Sequence, residues 1–326
     1  MKVFLFLFRH VFTKLSICDK IGQRGDDVMN FLHLKYLLAV EKYGSISKAA
    51  SHLYINQPHL SKIIKEMEEE MNIKIFERYN KGVVPTKKGE EFLAQTKKIV
   101  QEVVCLENMY KDNSNKIRLY LSVPRATYIS KAFTDYLNSS NVLEKEVNID
   151  YRETNTMDTI DKIYNGNSSL GIIRFPVKDV EYYLNSLKMK DLMFEKLFEF
   201  EYVVLMSKHN PLYQQVVYAK DLDQQVELIH GDISIPEVAG IGKNKKNINI
   251  YERSIQFELL TKLNNCYMWV SPIPYSELVR YDLITKKCED IHIDYVDYLI
   301  YRRGYVLTRD DKNFIEYLKG NIEHNM

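Results

Sequence analysis

Tyr43-Gly44-Ser45-Ile46-Ser47-Lys48-Ala49-Ala50-Ser51-His52-Leu53, continuing as Tyr54-Ile55-Asn56-Gln57-Pro58-His59-Leu60-Ser61-Lys62-Ile63-Ile64-Lys65, reads as two short helices meeting at a tight corner. Gly44 breaks the apolar-periodic run before it, and Ser45 or Ser47 offers a hydroxyl to cap the free amides of a new helix. Ala49, Ala50 and Leu53 share one face of that helix, and the alanines are small enough for another helix to approach closely. Asn56 is a good N-cap and Pro58 falls in a first turn, where a missing amide hydrogen is tolerated, so a second helix starts near Gln57. Leu60, Ile63, Ile64, Met67 and Met71 make its buried stripe; Gln57, His59, Ser61, Lys62 and Lys65 stay on the outer face. Such side chains bond base edges or phosphates. An outward polar face alone is more often simply solvated.

Upstream, residues 31–43 form a supporting helix that buries Leu34, Leu37, Leu38 and Val40 beneath the pair. Downstream, Ile73-Lys74-Ile75-Phe76 leads into a β wing, with Tyr79-Asn80-Lys81-Gly82 as its turn and Val83-Val84 returning. Thr86 then caps a long helix reaching about residue 111, on which Gly89, Phe92, Thr96, Ile99, Val103, Leu106 and Tyr110 alternate spacings of three and four. That is the seam of a two-helix coiled coil. Because the stripe outruns the small domain, pairing between two copies is favoured over packing on its own domain. Lys111-Asp112-Asn113-Ser114-Asn115-Lys116 is a polar hinge.

With these residues in order, the chain resembles the winged helix-turn-helix domain of LysR-type transcriptional regulators. The resemblance is carried by Gly44-Ser45-Ile46-Ser47, Ala49-Ala50, Leu53, Gln57-Pro58-His59-Leu60-Ser61, Glu68, Phe76-Glu77-Arg78, and Thr86 with Gly89. It runs ungapped from about Leu34 to Leu93. Asn72 stands where the family usually has glycine, Ile75 for leucine, and Pro85 for leucine before Thr86. Asparagine accepts a left-handed helix end better than most residues, so the first change is physically cheap. The resemblance implies a dimer, or a tetramer, that sets the helix from Gln57 into the major groove with Gln57, Ser61 and Lys62 nearest the bases. Ser45, Lys48, Lys65, Arg78 and the wing lysine Lys81 then meet phosphates, and Pro58 and His59 complete the candidate DNA-contacting set. Two paired copies would place two such helices on one face of the duplex, one helical turn apart.

From Ile117 the periodicity changes. A strand at residues 117–123, a helix containing Ala132, Phe133, Tyr136 and Leu137, a strand at 147–151, a helix at 157–164 and a strand at 170–175 make β-α-β-α-β, hence a parallel sheet covered by helices. A strand at 198–206 crosses towards a second lobe, whose pieces are a strand at 226–230, a helix at 255–263, a strand at 267–270 and a helix at 275–283. Residues 301–307 and a final helix at 311–318 return to the first lobe. This order resembles the effector-binding half of the same family, a two-lobed fold akin to periplasmic solute-binding proteins, with weaker matches at Gly166, Leu170-Gly171-Ile172-Ile173-Arg174, His209-Asn210-Pro211-Leu212 and Phe314-Ile315.

The expected architecture is therefore α/β throughout: an extension over residues 1–28, a winged helix-turn-helix over 29–86, a linker and dimerisation helix over 87–111, and a two-lobed effector-binding and oligomerisation domain over 117–326. In open parallel sheets ligands sit beyond the carboxyl ends of the strands, between the lobes. That selects Ser122, Pro124, Arg125, Thr127, Thr154, Asn155, Thr156, Ile173 and Arg174 on the first lobe and His230 and Ser271 on the second. Arg125 or Arg174 suits a carboxylate. The hydroxyl-rich turn Thr154-Asn155-Thr156 also reads as a plain helix cap.

Net charge is +1 over 326 residues, so no global basic signature announces nucleic acid. Residues 34–93 carry ten basic against eight acidic side chains, with the acids clustered at the far end of the second helix. Position must do what bulk charge does not. The first residues, Met1-Lys2 and an apolar run to Phe8, imitate a signal peptide, but the run is short, Arg9-His10 ends it, and no small-residue cleavage site follows. We expect a poorly ordered extension or a loosely attached helix, and no membrane span. Cys18, Cys105, Cys266 and Cys288 have no metal-binding spacing and read as reduced thiols of a cytoplasmic protein, structural or incidental rather than a peroxide-sensing pair. There is no GxSxG, HExxH or GxxxxGK[ST], and the eight histidines form no metal-ligand spacing, so neither catalysis, metal nor cofactor is expected. The expected partners are double-stranded DNA, a small-molecule effector, further copies of the chain and RNA polymerase. A sensor acting through protein partners is the alternative.

Overall fold

The computed structural model describes residues 31–79, 82–110, 115–231 and 246–325. The chain divides into two compact units, Met1–Val104 and Cys105–Met326. The expected extension over residues 1–28, the wing-turn residues Asn80 and Lys81, and Lys111 to Ser114 of the expected hinge lie outside the described residues.

In the first unit, helices α1 (Phe31–Tyr43), α2 (Ile46–His52) and α3 (Gln57–Met71) precede strands β1 (Phe76–Tyr79) and β2 (Gly82–Pro85), and helix α4 (Lys87–Tyr110) follows. Ser45 is the residue that caps α2, accepting from Lys48 N at 3.4 Å. Asn56 caps α3, accepting from His59 N at 2.8 Å, with Pro58 in the first turn. Helix α3 ends at Asn72 in the left-handed region (φ 51°, ψ 40°), which explains why asparagine can stand there. Leu37, Val40, Ala49, Leu60 and Met67 are buried in one core with Ile75 and Leu93.

A single carboxylate joins these pieces. Glu68, on the buried face of α3, accepts from Ile75 N at 2.8 Å, Phe76 N at 3.1 Å and Lys74 Nζ at 2.8 Å. The amides of Ile75 and Phe76 are thus taken by a side chain instead of a neighbouring strand. Thr86 then donates from N to Ile75 O at 3.0 Å and from Oγ1 to Lys74 O at 2.5 Å, and its hydroxyl accepts from Gly89 N at 2.9 Å. A Cβ on Gly89 would stand 1.9 Å from Ile75 O, so only glycine lets α4 start against the wing. Gly82, at φ 143°, likewise leaves space for Gly44 O, which accepts from Val83 N at 2.8 Å.

Helix α4 corrects the expected seam. Phe92 and Val100 pack on the first unit's own core, and Leu93, which the three-four spacing left out, is fully buried there. Thr96 is buried with its hydroxyl donated to Phe92 O at 2.9 Å. With Gly89 also committed, an outward apolar stripe begins only at Ile99, 47 % exposed, and continues to Leu106, 56 % exposed.

The second unit holds two five-stranded sheets. Strands β3 (Lys116–Val123), β4 (Glu146–Glu153) and β5 (Leu170–Pro176) are joined by helices α5 (Thr127–Ser139) and α6 (Thr156–Tyr164); α7 (Val180–Met189) and β6 (Leu192–Glu201) follow. The second lobe has β7 (Val203–Ser207), α8 (Ala219–Leu222), β8 (Val226–His230), β9 (Asn247–Ile250), α9 (Arg253–Lys262), β10 (Cys266–Val270), α10 (Tyr275–Arg280) and β11 (Leu283–Lys286). Then β12 (Asp294–Arg302) and α11 (Arg309–Asn325) return to the first. The first sheet has order β4-β3-β5-β12-β6, with β3 parallel to β4 and β5 and with β12 antiparallel to β5 and β6. The second has order β11-β7-β10-β8-β9. Buried clusters pack on the sheets, and one of them joins Phe200 and Tyr295 of the first sheet to Val204, Tyr267 and Trp269 of the second. No helix among the described residues is long and apolar enough to cross a membrane.

Three expectations need correction. The run over residues 198–206 is not one strand: it breaks at Tyr202, whose N donates to Ile293 O at 2.9 Å, and its halves belong to different sheets. Residues 301–307 are not an element, because β12 ends at Arg302 and Gly304 turns with φ 81°. Helix α10 stops at Arg280, and the apolar residues after it form β11.

Burial raises the Glu68 carboxyl, but the hydrogen bonds from Lys74, Phe76 and Ile75 outweigh it and leave it below its ordinary value. A depressed carboxyl stabilises the folded state above the unfolded value near 4.5 and loses that contribution as pH falls through the folded value. Glu68→Gln should therefore lower thermal stability at neutral pH and flatten its decline below pH about 4.5, read by calorimetry across pH. Glu68→Ala should cost more, about 2–4 kcal/mol, by stranding two buried amides.

Candidate nucleic-acid interface and effector cleft

The outer face of α3 is presented to solvent. Gln57, Pro58, His59 and Lys62 are exposed, Ser61 is half-buried, and the Lys62 side chain keeps 72 % of its surface. Gln57 Nε2 donates to Ser61 Oγ at 2.8 Å, which fixes the two foremost polar side chains relative to each other. Lys62 and Lys65 each stand 3.4 Å from the acid one turn on, Glu66 and Glu69. Lys48 and Arg78 are exposed; Ser45 is half-buried and spends its side-chain oxygen on the α2 cap. Lys81 lies outside the described residues. Tyr54, which the sequence reading passed over, is 96 % exposed at the corner between α2 and α3 and is held at φ 57°. With Tyr43, Ser47, Lys48, Ser51 and His52 it lines an open hollow of about 630 Å³. The signal for it was an aromatic residue at a turn with no apolar stripe to join.

In the second unit, a cleft between the lobes is lined by Arg125, Thr127, Arg174, Tyr202, His230, Arg253, Gln256, Phe257, Trp269, Ser271 and their neighbours. Its free volume is about 30 Å³, room for water alone. Arg125 follows β3, Glu153 ends β4 and His230 ends β8, so the polar groups gather at the carboxyl ends of parallel strands, as open α/β sheets require.

Glu153 ties the lobes together. Its Oε2 accepts from Arg125 Nε at 3.2 Å and its Oε1 from Arg253 Nη1. Arg253, from the second lobe, also reaches Ser130 Oγ at 3.0 Å and Thr127 Oγ1 at 3.3 Å on the first. Arg125 extends the other way, Nη2 donating to Tyr251 O at 3.0 Å and Nη1 meeting His230 Nδ1 at 3.4 Å. Guanidinium has no acceptor, so Nδ1 must be the unprotonated nitrogen and His230 carries its hydrogen on Nε2. Gln256 Nε2 donates to the same Nδ1 at 2.6 Å. Burial, then the charges of Arg125, Arg253 and Arg174, push the imidazole down to about 3, which keeps it neutral.

Arg174 is held differently. Its side chain is 7 % exposed and forms two bonds to Asp297, Nε to Oδ1 at 2.8 Å and Nη2 to Oδ2 at 2.7 Å. The guanidinium carbon lies 4.7 Å from the Phe200 ring centre, and the Tyr128 hydroxyl donates to Asp297. Burial opposes the Arg174 charge, but Asp297 outweighs it and holds the group well above its ordinary value.

Of the expected effector-contacting residues, Arg125, Thr127, Arg174, His230 and Ser271 line the cleft. The others do not. Ser122 is fully buried, its hydroxyl 2.6 Å from Thr154 Oγ1 and 3.1 Å from Thr159 Oγ1, and these three hydroxyls satisfy one another. Ile173 is fully buried in the first lobe's core and Pro124 is buried. Asn155 caps α6, and Thr156 donates to Arg174 O at 2.6 Å, so that turn serves the helix. Missed were Glu153, Arg253, Gln256 and Asp297. The signal for Asp297 was present: one acid inside the apolar run Tyr295-Val296-Asp297-Tyr298-Leu299-Ile300 demands a buried partner.

Burial raises the Cys266 thiol; Cys288 donates its S–H to Asp290 Oδ1 at 3.3 Å, and burial together with that bond pushes it up to about 12. Neither thiol is activated for redox sensing.

A winged helix-turn-helix unit and a two-lobed α/β unit with a polar cleft define the fold class. Residues 31–90 match the model of the bacterial regulatory helix-turn-helix proteins of the lysR family. The uncharacterized HTH-type transcriptional regulator YnfL of Escherichia coli K12 is 28 % identical over 146 residues, 44 % of this chain and 48 % of that one. The malolactic fermentation system transcriptional activator of Lactococcus lactis is 25 % identical over 311 residues, 89 % of this chain and 98 % of that one. The match thus spans about half the length of the first curated relatives, YnfL and TdcA. A full-length OxyR variant of Pseudomonas aeruginosa shares the fold at TM-score 0.61 and 16 % identity, over 91 % of this chain and 95 % of that one. Full-length CbnR complexed with its target DNA does so at 0.55 and 14 %, over 90 % and 100 %. Residues 31–90 are therefore a LysR-family helix-turn-helix domain, and the chain has the fold of LysR-type regulators.

Breaking the buried pair by Asp297→Ala should cost about 3–5 kcal/mol of stability in chemical denaturation, because Arg174 keeps its charge without its counterion. The double variant Arg174→Met with Asp297→Leu should recover most of that loss. An unaltered denaturation midpoint in Asp297→Ala would contradict the pairing.

Proposed function

We propose that the protein is a sequence-specific DNA-binding transcriptional regulator of LysR type, acting in the cytoplasm as a dimer or tetramer. The observation that carries this reading is the division of α3: one face is committed to the core, and the other leaves Gln57, Ser61 and Lys62 open to a duplex. Gln57 and Ser61 address base edges, Lys62 reads beside them, and Lys48, Lys65 and Arg78 meet phosphates, with Lys81 on the wing. The Ser45 cap holds α2 so that Lys48 faces outward. The apolar stripe of Ile99 and Leu106 on α4 supports pairing between copies, which sets two reading helices at the repeat of duplex DNA. A small-molecule effector enters the cleft between the lobes and changes how they pack across the oligomer, and RNA polymerase is the partner that reads the result. A sensor working only through protein partners leaves the outer face of α3 without a task.

Sequencing of genomic fragments retained by the purified protein should return an interrupted inverted repeat. On that site Lys62→Ala should relax base preference, whereas Lys48→Ala should weaken binding on all sequences alike. In anisotropy titrations across salt, Lys48→Ala should lower the slope of log affinity against log salt by about 0.9, one phosphate contact. Retention of random fragments with no shared site would overturn the assignment.

A further inference from the structure

Resting on the DNA-binding reading proposed above, we infer that the open hollow beside the α2–α3 corner is a seat for one backbone phosphodiester of the duplex, and that Tyr54 sets α3 against it. The hollow, about 630 Å³, is lined by Tyr43, Ser47, Lys48, Ser51, His52 and Tyr54. Each of its polar side chains can donate, and no acid lines it. Among the described residues the two serine hydroxyls, the Lys48 ammonium and the Tyr54 hydroxyl have no protein partner. Residues 42–65 hold four lysines and two histidines and neither aspartate nor glutamate. The acids that flank them are engaged elsewhere, Glu41 at 2.8 Å from Lys97 and Glu66 at 3.4 Å from Lys62. Donors around an acid-free hollow suit an anion, and the rings of Tyr43 and His52, packed with centroids 4.7 Å apart, give a deoxyribose an apolar side to lie on.

Tyr54 itself marks the seat as more than a solvated corner. It is held at φ 57°, in the left-handed region that glycine enters freely and a bulky side chain enters at a cost. The turn closes there through backbone bonds, Tyr54 N to Ser51 O at 3.3 Å and Ile55 N to Ala50 O at 3.0 Å, which glycine would make equally well. The ring is almost wholly exposed, so its burial returns nothing to the fold. Its place in the chain supplies a use. Tyr54 stands three residues before Gln57, a reach of at most about 10 Å, and the major groove is about 12 Å wide. A side chain at that remove from the base-reading position meets the strand that walls the groove and not the base edges. Its hydroxyl donates to the phosphate that Lys48 also meets, and the two together fix how deep the amino end of α3 enters.

The test uses the full-length chain and the duplex it selects. Tyr54→Phe should bind that duplex about tenfold more weakly, the worth of one hydrogen bond to a charged group, and by the same factor when a base pair facing Gln57 is changed. Tyr54→Gly should bind more weakly still yet melt no lower than the unaltered protein, because glycine suits the turn and no buried contact is lost. Duplexes in which single phosphates are replaced by methylphosphonate then locate the seat. At one position per half-site the replacement should cost Tyr54→Phe several-fold less than it costs the unaltered protein, and should cost Lys48→Ala less at that same position, since both side chains meet one phosphate. Full-strength binding by Tyr54→Phe and Tyr54→Gly to a duplex that the unaltered protein holds overturns the seat and leaves the regulatory reading standing. So does a methylphosphonate profile that neither Tyr54→Phe nor Tyr54→Gly alters, which would assign the hollow to an acidic protein segment. An unaltered protein that selects no duplex overturns both.

Discussion

A carboxylate withdrawn from water must be met by donors that are already in place, and the working parts of this protein are positioned by three side chains under that constraint. Glu68 meets two backbone amides and an ammonium, Asp297 meets a guanidinium and a phenol, and Glu153 meets two guanidinium groups from opposite lobes. The first fixes α3 to the wing. The second makes a rigid wall from β5 and β12. The third joins the two lobes across their cleft. The first two are held by donors on their own unit or lobe and act as fixed staples. Glu153 is bound across a cleft, by donors from both lobes.

Much of this organisation was legible in the sequence. Helices α1 to α3 follow from Gly44, Asn56 and Pro58 and from apolar spacings that have one solution, because each local signal agrees with the packing. The parallel half of the first lobe was equally plain. The crossing at Tyr202 was not, since an apolar run looks the same whether it stays in one sheet or passes between two. Helix α7 was overlooked although Val180, Leu184 and Leu187 carry its period and pack together. Strand β12 was displaced because Asp297 interrupts its run, and the resulting error hid the partner of Arg174.

The cleft shows a more general boundary. Strand ends could be listed from the order of elements, and that rule placed Arg125, Thr127, Arg174, His230 and Ser271 in the cleft. It also chose Ile173, one residue from Arg174 and turned to the opposite face by strand alternation, and Ser122, which lies inside β3 three residues before Arg125. Arg253 opens a helix, not a strand end, so the rule could not reach it. Its role comes from the meeting of lobes separated by a hundred residues of chain, Glu153 to Arg253.

The modest charge of the first unit fits the same physics. Lys62 and Lys65 are partnered by Glu66 and Glu69 at the surface, where such pairs are worth well under about 1 kcal/mol, so phosphate can replace the acids at little cost. The acids remain, however, on the flank of the helix, and a duplex that approaches in a wrong register brings them against its own charge. If the chain reads DNA as proposed, repulsion limits indiscriminate adhesion, while Gln57 and Ser61, already bonded to each other, present a fixed polar pattern to the bases. A more basic helix would hold DNA of any sequence more tightly. On that proposal this one gives up part of that general attraction, and discrimination falls to the few side chains at the amino end of α3.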